Sequence, residues 1–200
     1  PDPGPAVAAV VSVQGEVTAT DSAGRTRALG QGDAVRRHDT VKTGPQGRAK
    51  IRFDDGEQLF LRPGTNARVR DWALPETGPG RRVVELLQGG LRAVTGAIGN
   101  RSEDTYRTVT PQTTLGIRGT GYALRICAEA PCAADGGASE ALEAGLYVGV
   151  DTGAVNLLNE TGESEMTAGD YRYVAGPASA PQPAGPAAGS FLYTEAEIEA

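Results

Sequence analysis

The sequence predicts an all-β domain, a short-stranded sandwich or β-roll with two related hairpin units and little helix. Three observations favour this fold class. Apolar residues alternate with polar ones in several segments, which is the period of a strand with one buried face. Gly (28) and Pro (13) together make up about a fifth of the chain, a content typical of folds with frequent turns. Aromatic residues are only 5% of the sequence, so we expect a core of Val, Leu, Ile and Ala.

The alternation is clearest in the first half of the chain. Residues 49–53 are apolar at every second position, Asp54-Asp55-Gly56 predicts a hairpin turn, and residues 59–61 resume the apolar face. The same pattern recurs over residues 115–126 and 146–157. These segments are expected to form half-buried strands with one wet face.

A weak internal repeat suggests that related hairpins open and close the domain. The distance from Gly15 to the Gly32-Asp33 pair is 17 residues, and the distance from Gly153 to the Gly169-Asp170 pair is 16. Gly permits backbone conformations that a Cβ disfavours, and an Asp oxygen accepts hydrogen bonds from the amides of its own turn. Each unit is therefore predicted to end in a Gly-Asp turn.

Composition divides the chain into four parts. Residues 1–6 form an N-terminal extension, 7–174 the folded domain, and 175–190 an Ala/Pro/Gly linker that we expect to be extended and unpacked. Residues 191–200 begin with an apolar Phe-Leu-Tyr and are expected to dock on the domain or on a neighbour. Helical patterns are confined to two segments that are too short to be stable without packing, residues 138–144 and 193–200.

The formal net charge of -6 is unevenly distributed. Residues 25–82 carry 13 Lys and Arg against 7 Asp and Glu, whereas the rest of the chain carries 6 against 18. This asymmetry favours a head-to-tail contact or an anionic partner, although solvated charges on alternate strand positions would also produce it. No apolar stretch is long enough to predict a transmembrane segment. The first residue is Pro rather than Met, which is typical of a mature or a trimmed N-terminus and is compatible with an exported precursor.

A series of motifs in fixed order resembles the FecR domain from Val10 to Val174. The most specific are Thr110-Pro111 and the segment from Gly116 to Tyr122. One departure is His38, where family members often have Gly before the Asp. The other matching motifs are Gly15 with Val17, Gly32-Asp33, residues 39–44, 49–53, Asp55-Gly56, Leu59 with Leu61 and Pro63, residues 90–92, Gly153 with Val155, and Gly169-Asp170.

The resemblance implies an extracytoplasmic, β-rich domain without enzymatic activity. In the best-known members this domain is the periplasmic part of an anti-sigma regulator, which receives a signal from a TonB-dependent outer-membrane transporter. Those regulators carry a sigma-binding region and a transmembrane helix before the domain, and this sequence shows neither. It is more similar to stand-alone exported FecR proteins, so a role in iron transport is not implied.

The cysteines Cys127 and Cys132 are the only two in the chain. In an exported protein they are expected to form a disulfide that closes a short loop, whereas in a reducing compartment they would remain thiols. A zinc site is not expected, since the sequence has one His and no second Cys pair.

Catalytic and cofactor-binding motifs are not found, so we predict no enzyme, no cofactor and no metal. His38 is expected to be a surface turn residue, and Cys127 has no activating neighbour in the sequence. Asp54-Asp55-Gly56 lacks the alternating ligand series of a calcium loop. The sequence pI of about 4.9 and the absence of a stacking platform argue against nucleic acid.

Two groups of residues are candidates for binding. Arg118-Gly119-Thr120 would present a guanidinium to a partner. Alternatively, the glycines around it would let strands cross closely while Arg118 pairs within the domain. The candidate site for an anionic envelope polymer comprises Arg62, Arg68, Arg70, Arg81 and Arg82.

The function predicted from the sequence is that of a periplasmic or extracellular bacterial module that binds another envelope protein. Contact is expected through strand edges or the loops around Arg118 and Cys127. One alternative is a structural subunit that assembles with copies of itself, through residues 6–13 or the segment that begins at Phe191. The other alternative is a module that binds anionic glycans.

Overall fold

Strands dominate the computed structural model, which describes residues 4–101, 104–128 and 142–184. The all-β prediction is confirmed. The first half of the described chain contains β1 (Ala6–Gln14), β2 (Val17–Thr20), β3 (Thr26–Ala28), β4 (Ala34–Arg36), β5 (Thr40–Thr43), β6 (Arg48–Phe53), β7 (Gln58–Leu61) and β8 (Asn66–Ala73). The second half contains β9 (Arg81–Val94), α1 (Ala97–Arg101), β10 (Tyr106–Val109), β11 (Thr114–Cys127), β12 (Gly145–Asn159), β13 (Gly162–Thr167), β14 (Tyr171–Val174) and β15 (Gln182–Pro183).

All the strands join one sheet, and β9 is its junction. The first part of β9 lies between β8 and β10, and its last part lies between β7 and β11. Strands β7, β6, β1 and β4 continue from one edge of this junction, while β5, β2 and β3 continue from β8. The β9–β10 pair is parallel, and the other described pairs are antiparallel.

The long strands β11 and β12 connect two regions of the sheet. Residues 121–126 of β11 pair with β9, whereas residues 114–116 pair with β10. Between them the register shifts, and Gly119 has a φ of 53°. Gly153, opposite on β12, has a φ of 74°, and a Cβ there would overlap the carbonyl of Gly119. Glycine is therefore required where the two strands bend together.

One hydrophobic core fills the inner face of the sheet, and it is built mainly from Val, Leu and Ile as expected. Ile51, Phe53, Leu59 and Leu61 all belong to it. Strands β6 and β7 pair around the predicted turn, with Ile51 opposite Leu59. The two-residue period thus placed these side chains on the correct face.

The Gly-Asp turns at the two ends of the domain have matching geometry. The amides of Gly32 and Gly169 each donate a 2.8 Å hydrogen bond to a strand carbonyl, of Val10 and Val150 respectively. The carboxylate of Asp33 accepts from the amide of Gly30 at 2.7 Å, and that of Asp170 accepts from the amide of Thr167 at 2.8 Å. Both glycines have a positive φ, of 87° and 91°.

Two local features differ from expectation. Helix α1 was not predicted, because a helix this short is held by a tertiary contact: Asp55 accepts hydrogen bonds from the amides of Ala97 and Ile98. The predicted helix over 138–144 is not seen in its described residues, 142–144, and the one over 193–200 lies outside the described residues. None of the helices in the described ranges is long and apolar enough to cross a membrane.

The prediction of an unpacked linker is wrong for residues 175–184. Strand β15 pairs with β14, and the amide of Ala184 donates to the carbonyl of Tyr171 at 2.9 Å. Further back, the side chain of Asn159 donates to the carbonyl of Ser179 at 2.8 Å. A Pro-rich segment can pack as an edge strand, since Pro lacks only the donor that such a strand leaves unpaired.

Candidate functional site

The outer face of the sheet has a groove beside Arg118. Its volume is about 300 Å³, and it adjoins a second hollow of about 250 Å³. At its centre lies Gly116, which is flanked by Arg107 of β10 and Asn156 of β12. Because Gly116 has no side chain, the sheet surface is open there. We name this feature the Arg118 groove; it is lined by Gly116, Arg118, Ala154, Val155, Asn156, Glu163 and Glu165.

Opposite charges line the two sides of the Arg118 groove. Arg118 is exposed on β11, and Glu163 and Glu165 are exposed on β13. The side-chain amide of Asn156 donates to Glu163 at 3.3 Å across the groove. Strand β13 pairs with β12 alone among the described strands, so it is an edge strand of the described sheet.

The three residues predicted to contact a partner, Arg118, Gly119 and Thr120, differ in their exposure to solvent. Arg118 and Gly119 are exposed, but Thr120 is only 3% exposed and belongs to the bend of β11. The Thr120 amide donates to the hydroxyl of Thr95 at 2.9 Å, and its own hydroxyl donates to the carbonyl of Thr152. Thr120 therefore maintains the strand crossing, and only its two neighbours can meet a partner.

The predicted anion-binding group does not form one surface. Arg68, Arg70 and Arg81 are exposed, whereas Arg62 and Arg82 are each 2% exposed or less. Arg82 is fully buried in an ion pair, so its inclusion in a surface site was wrong. Arg62 was also wrongly included, since so little of it reaches solvent.

A buried polar network lies where the sheet regions meet. Arg82 of β9 contacts both oxygens of Glu57, at 2.5 and 3.0 Å. It also donates to the hydroxyl of Thr108 at 2.6 Å and lies 4.2 Å from the ring centre of Tyr106. We name this feature the buried network, and its members are all fully buried: Glu57, Arg82, Tyr106, Thr108 and Tyr122.

The two phenols complete the hydrogen bonds of the buried network. Tyr106 donates to Glu57 at 2.7 Å, and the hydroxyl of Tyr122 lies 2.7 Å from that of Thr108 and 3.2 Å from that of Tyr106. Burial raises the pKa of both phenols, which keeps them neutral. The arrangement binds strands together.

Burial acts against the charge of both ions in the network. It raises the pKa of Glu57, against the opposing effect of the Arg82 guanidinium. It also acts to lower the pKa of Arg82, but the combined effects of the Glu57 carboxylate and the two phenols outweigh it and the net pKa is raised. Each charge is therefore tolerated only because its partner is present.

The sequence analysis missed Glu57, although its pattern contained a signal. Glu57 is in phase with Leu59 and Leu61, and Arg82 is in phase with Val84 and Leu86. Because alternate strand residues share a face, this phase placed both charges on the buried side. A charged residue in phase with a core strand predicts a buried ion pair.

A second group of cations lies on the outer face away from the Arg118 groove. Lys50 of β6, Phe60 of β7 and Arg92 of β9 are adjacent in one row across the sheet. The ammonium of Lys50 is 5.0 Å from the centre of the Phe60 ring, and the Arg92 guanidinium is 5.8 Å from it. We name this surface the basic face; its cations are Arg48, Lys50, Arg52, Arg92 and Arg125. Sequence reasoning missed it because these cations come together only through strand register.

The remaining predicted residues lie apart from both surfaces. His38 is in a turn with a φ of 75°, the conformation for which the family pattern favours Gly. Cys127 is buried at the end of β11, and Cys132 lies outside the described residues, so the disulfide stays a prediction.

Comparison with protein families gives a match to the family described as FecR protein, over residues 39–156. The matched range includes the Gly116–Tyr122 segment and most of the strands that form the buried network and the Arg118 groove. A comparison with curated protein sequences gives no match.

Two solved structures are similar to this chain. Both are crystal structures, at 2.50 and 1.65 Å resolution, of a "putative anti-sigma factor" from Parabacteroides distasonis ATCC 8503. The TM-scores are 0.54 and 0.53, and the sequence identities are 16% and 14%. Each match covers 73% of this chain but only 59% of the other. At this identity the likeness concerns the fold alone.

Proposed function

Since this chain belongs to the FecR family, we propose that it is a non-enzymatic regulatory module that is exported and senses by binding another envelope protein. The observation that carries the proposal is the Arg118 groove next to the open edge of β13. The description of the similar structures as anti-sigma factors agrees with a signalling role.

Strand addition to β13 is the binding mode that we propose. The strand has six residues, long enough to pair with an extended segment, whereas the described edge strands β3, β4 and β15 have three, three and two. A partner strand there would lie beside Glu163 and Glu165. Lys or Arg at its facing positions would form favourable cross-strand pairs. We therefore propose a partner that contributes an extended, basic segment.

On the side of the groove opposite β13, Arg118 would make the partner interaction selective for a hydrogen-bond acceptor. It is exposed, and no ion pair is formed by it among the described residues. A carboxylate or backbone carbonyl of the partner would accept from its guanidinium. The partner segment is thus expected to carry both a basic strand and an acceptor that reaches across Asn156.

The test is site-specific photocrosslinking in the cells that export the protein. A photoreactive residue is placed at position 118 or, as the matched control, at 68, where another exposed Arg lies on β8. We expect one envelope protein to be captured from position 118 and not from 68. Arg118→Glu should reduce recovery of that protein by about tenfold, which corresponds to about 1.4 kcal/mol of binding free energy, and Arg68→Glu should leave it unchanged.

Other outcomes would contradict the proposal. Crosslinks from position 118 to copies of the same chain, with assembly that grows with concentration in light scattering, would indicate a self-assembling subunit. Salt-sensitive retention on an anionic polysaccharide without a protein partner would indicate a glycan-binding module. Recovery of the protein from the cytoplasm on cell fractionation would contradict export.

A further inference from the structure

Helix α1 connects two segments that both belong to the FecR pattern. One is the hairpin turn that contains Asp55, and the other is the stretch of β11 over residues 118–121, where the pairing register shifts. We name the second segment the β11 bend. The two lie far apart in sequence, but the residues at each end of α1 contact one of them.

The turn holds the start of α1 through both the backbone and the side chain of Asp55. Its carbonyl accepts from the amide of Ala97 at 2.9 Å, and its carboxylate accepts from the amide of Ile98 at 3.0 Å. The other carboxylate oxygen accepts from the amide of Glu57 at 3.1 Å, which fixes the side chain from a second direction. Asp55 thus satisfies amides that the first turn of a helix leaves without partners.

The residues on either side of this first turn hold the β11 bend. Thr95 forms two hydrogen bonds with Thr120: its amide donates to the Thr120 carbonyl at 3.0 Å, and its hydroxyl accepts from the Thr120 amide at 2.9 Å. A Cβ on Gly119 would lie 3.0 Å from the side-chain oxygen of Asn100, so α1 packs directly on that glycine. The next residue is Arg118, whose exposed side chain lines the Arg118 groove.

Regular strand pairing does not fix the β11 bend. The register of β11 with β12 shifts between Arg118 and Gly121, and the pairing of β11 with β9 begins only at Gly121. At Thr120 the backbone amide and carbonyl are both bonded to Thr95 instead. The position of the bend therefore depends on the segment that leads into α1.

We propose that Asp55 is a positioning residue for the Arg118 groove: by capping α1, it fixes the bend that carries the Arg118 guanidinium. The two sequence motifs then serve one structure, since the turn holds the helix and the helix holds the bend. The effect on binding rests on the proposed function, whereas the effect on the bend can be measured without a partner.

Amide hydrogen exchange of the full chain, followed by NMR, tests the positioning. In Asp55→Ala, the amides of Ile98 and Thr120 should exchange about tenfold faster, as is typical of the loss of a helix cap. The amide of Arg82, which donates to the carbonyl of Thr105 at 2.8 Å, reports on the strand that carries the buried network. It should keep its wild-type rate.

Two further variants separate the cap from a general loss of stability. Asp55→Asn keeps an oxygen that can accept from the Ile98 amide, so it should restore most of the protection of Ile98 and Thr120. Asp54→Ala is the matched control, because Asp54 is in the same turn and is exposed, and it should leave the rates unchanged. Unchanged exchange of Thr120 in Asp55→Ala, or equal acceleration of Thr120 and Arg82, would overturn the proposal.

Photocrosslinking from position 118 measures the effect on binding. Asp55→Ala should lower capture of the partner about fivefold. Thr95→Val removes the hydroxyl that accepts from Thr120 but leaves the turn intact, and it should lower capture similarly. Asp54→Ala should not change it. Undiminished capture in both Asp55→Ala and Thr95→Val would overturn the positioning role. If the wild type captures no partner, the proposed function fails, and the exchange rates still decide the role of Asp55.

Discussion

Arg81 and Arg82 are neighbours in sequence, but they form opposite kinds of ion pair. Arg81 contacts Asp71 at 2.8 Å with its side chain 59% exposed. Arg82 contacts Glu57 at 2.5 Å, and both side chains are fully buried. The difference follows from strand geometry, since successive residues of β9 point to opposite faces. Water can replace the contacts of the exposed Arg81–Asp71 pair. The buried Arg82–Glu57 pair can form hydrogen bonds only within the buried network.

The comparison shows that a short ion-pair distance does not by itself indicate a stabilising contact. An exposed pair gains little over hydration, and salt screens it. A buried pair gives little net stability as a unit, but loss of one partner leaves an uncompensated charge in the core. The buried network should therefore dominate the mutational response of this region of the sheet.

The largest effect is expected from Arg82→Met. It leaves Glu57 buried without its cation, which should lower the free energy of unfolding by about 3–5 kcal/mol in chemical denaturation. The double variant Glu57→Leu/Arg82→Met should lose less than the sum of the two single variants, because no unpaired charge remains. An Arg82→Met variant as stable as the wild type would contradict the buried pair.

Tyr122→Phe should have an intermediate effect. It removes the hydroxyl that lies 2.7 Å from the Thr108 hydroxyl and leaves the ring in place. We expect a loss of about 1–2 kcal/mol, as is typical of a buried hydrogen bond whose partner remains. Tyr171→Phe is the matched control, since Tyr171 is only half-buried. Equal losses in the two variants would indicate that the network does not depend on the hydroxyl.

The contributions of Glu57 and Asp71 to the free energy of unfolding should change with pH in opposite directions. Burial raises the pKa of Glu57 above its ordinary value of 4.5. The stability that it contributes is therefore complete below pH 4.5 and is lost as the pH rises through the raised pKa. The hydrogen bond from Arg81 lowers the pKa of Asp71 below its ordinary 3.8. Its contribution is present above pH 3.8 and is lost as the pH falls through the lowered pKa.

Chemical denaturation of the wild type, Glu57→Gln and Asp71→Asn at several pH values measures these two contributions separately. Relative to Glu57→Gln, the wild type should lose stability as the pH rises above 4.5. Relative to Asp71→Asn, it should lose stability as the pH falls below 3.8. A wild type that gains stability over Glu57→Gln as the pH rises would show that the effect of Arg82 outweighs that of burial.

The smallest effect is expected from Arg81→Met, the matched partner of Arg82→Met. Its ion pair is exposed, so the change in unfolding free energy should be close to the error of measurement, and smaller still in high salt. A loss as large as that of Arg82→Met would break the comparison and would require a structural role for Asp71.

Much of the fold could be predicted from local patterns. The alternation over residues 49–61 correctly placed Ile51 and Leu59 in the core, and the Gly-Asp pairs marked two turns of matching geometry. Helix α1 and the packing of residues 175–184 could not be predicted in this way. Both depend on contacts with segments distant in sequence, Asp55 for the helix and β14 for the linker.

The candidate sites were predicted less well. Arg118 and Gly119 are exposed beside a groove as one hypothesis required, but the groove also needs Glu163 and Asn156, which lie far along the chain. The anion-binding group was chosen by proximity in sequence, and this grouped the exposed Arg81 with the buried Arg82. Burial of a charge requires a partner, and sequence proximity does not identify that partner.

The sequence by itself determined the class of fold, the family, the turns, and which residues of each strand share a face. These properties depend on side-chain period, glycine conformation and short-range hydrogen bonds, all of which act over a few residues. The tertiary structure alone decided that Arg82 meets Glu57, that Arg118 and Glu163 line one groove, and that cations of separate strands form the basic face. These contacts depend on which strands pair and in what register, and this is set by burial of the whole core.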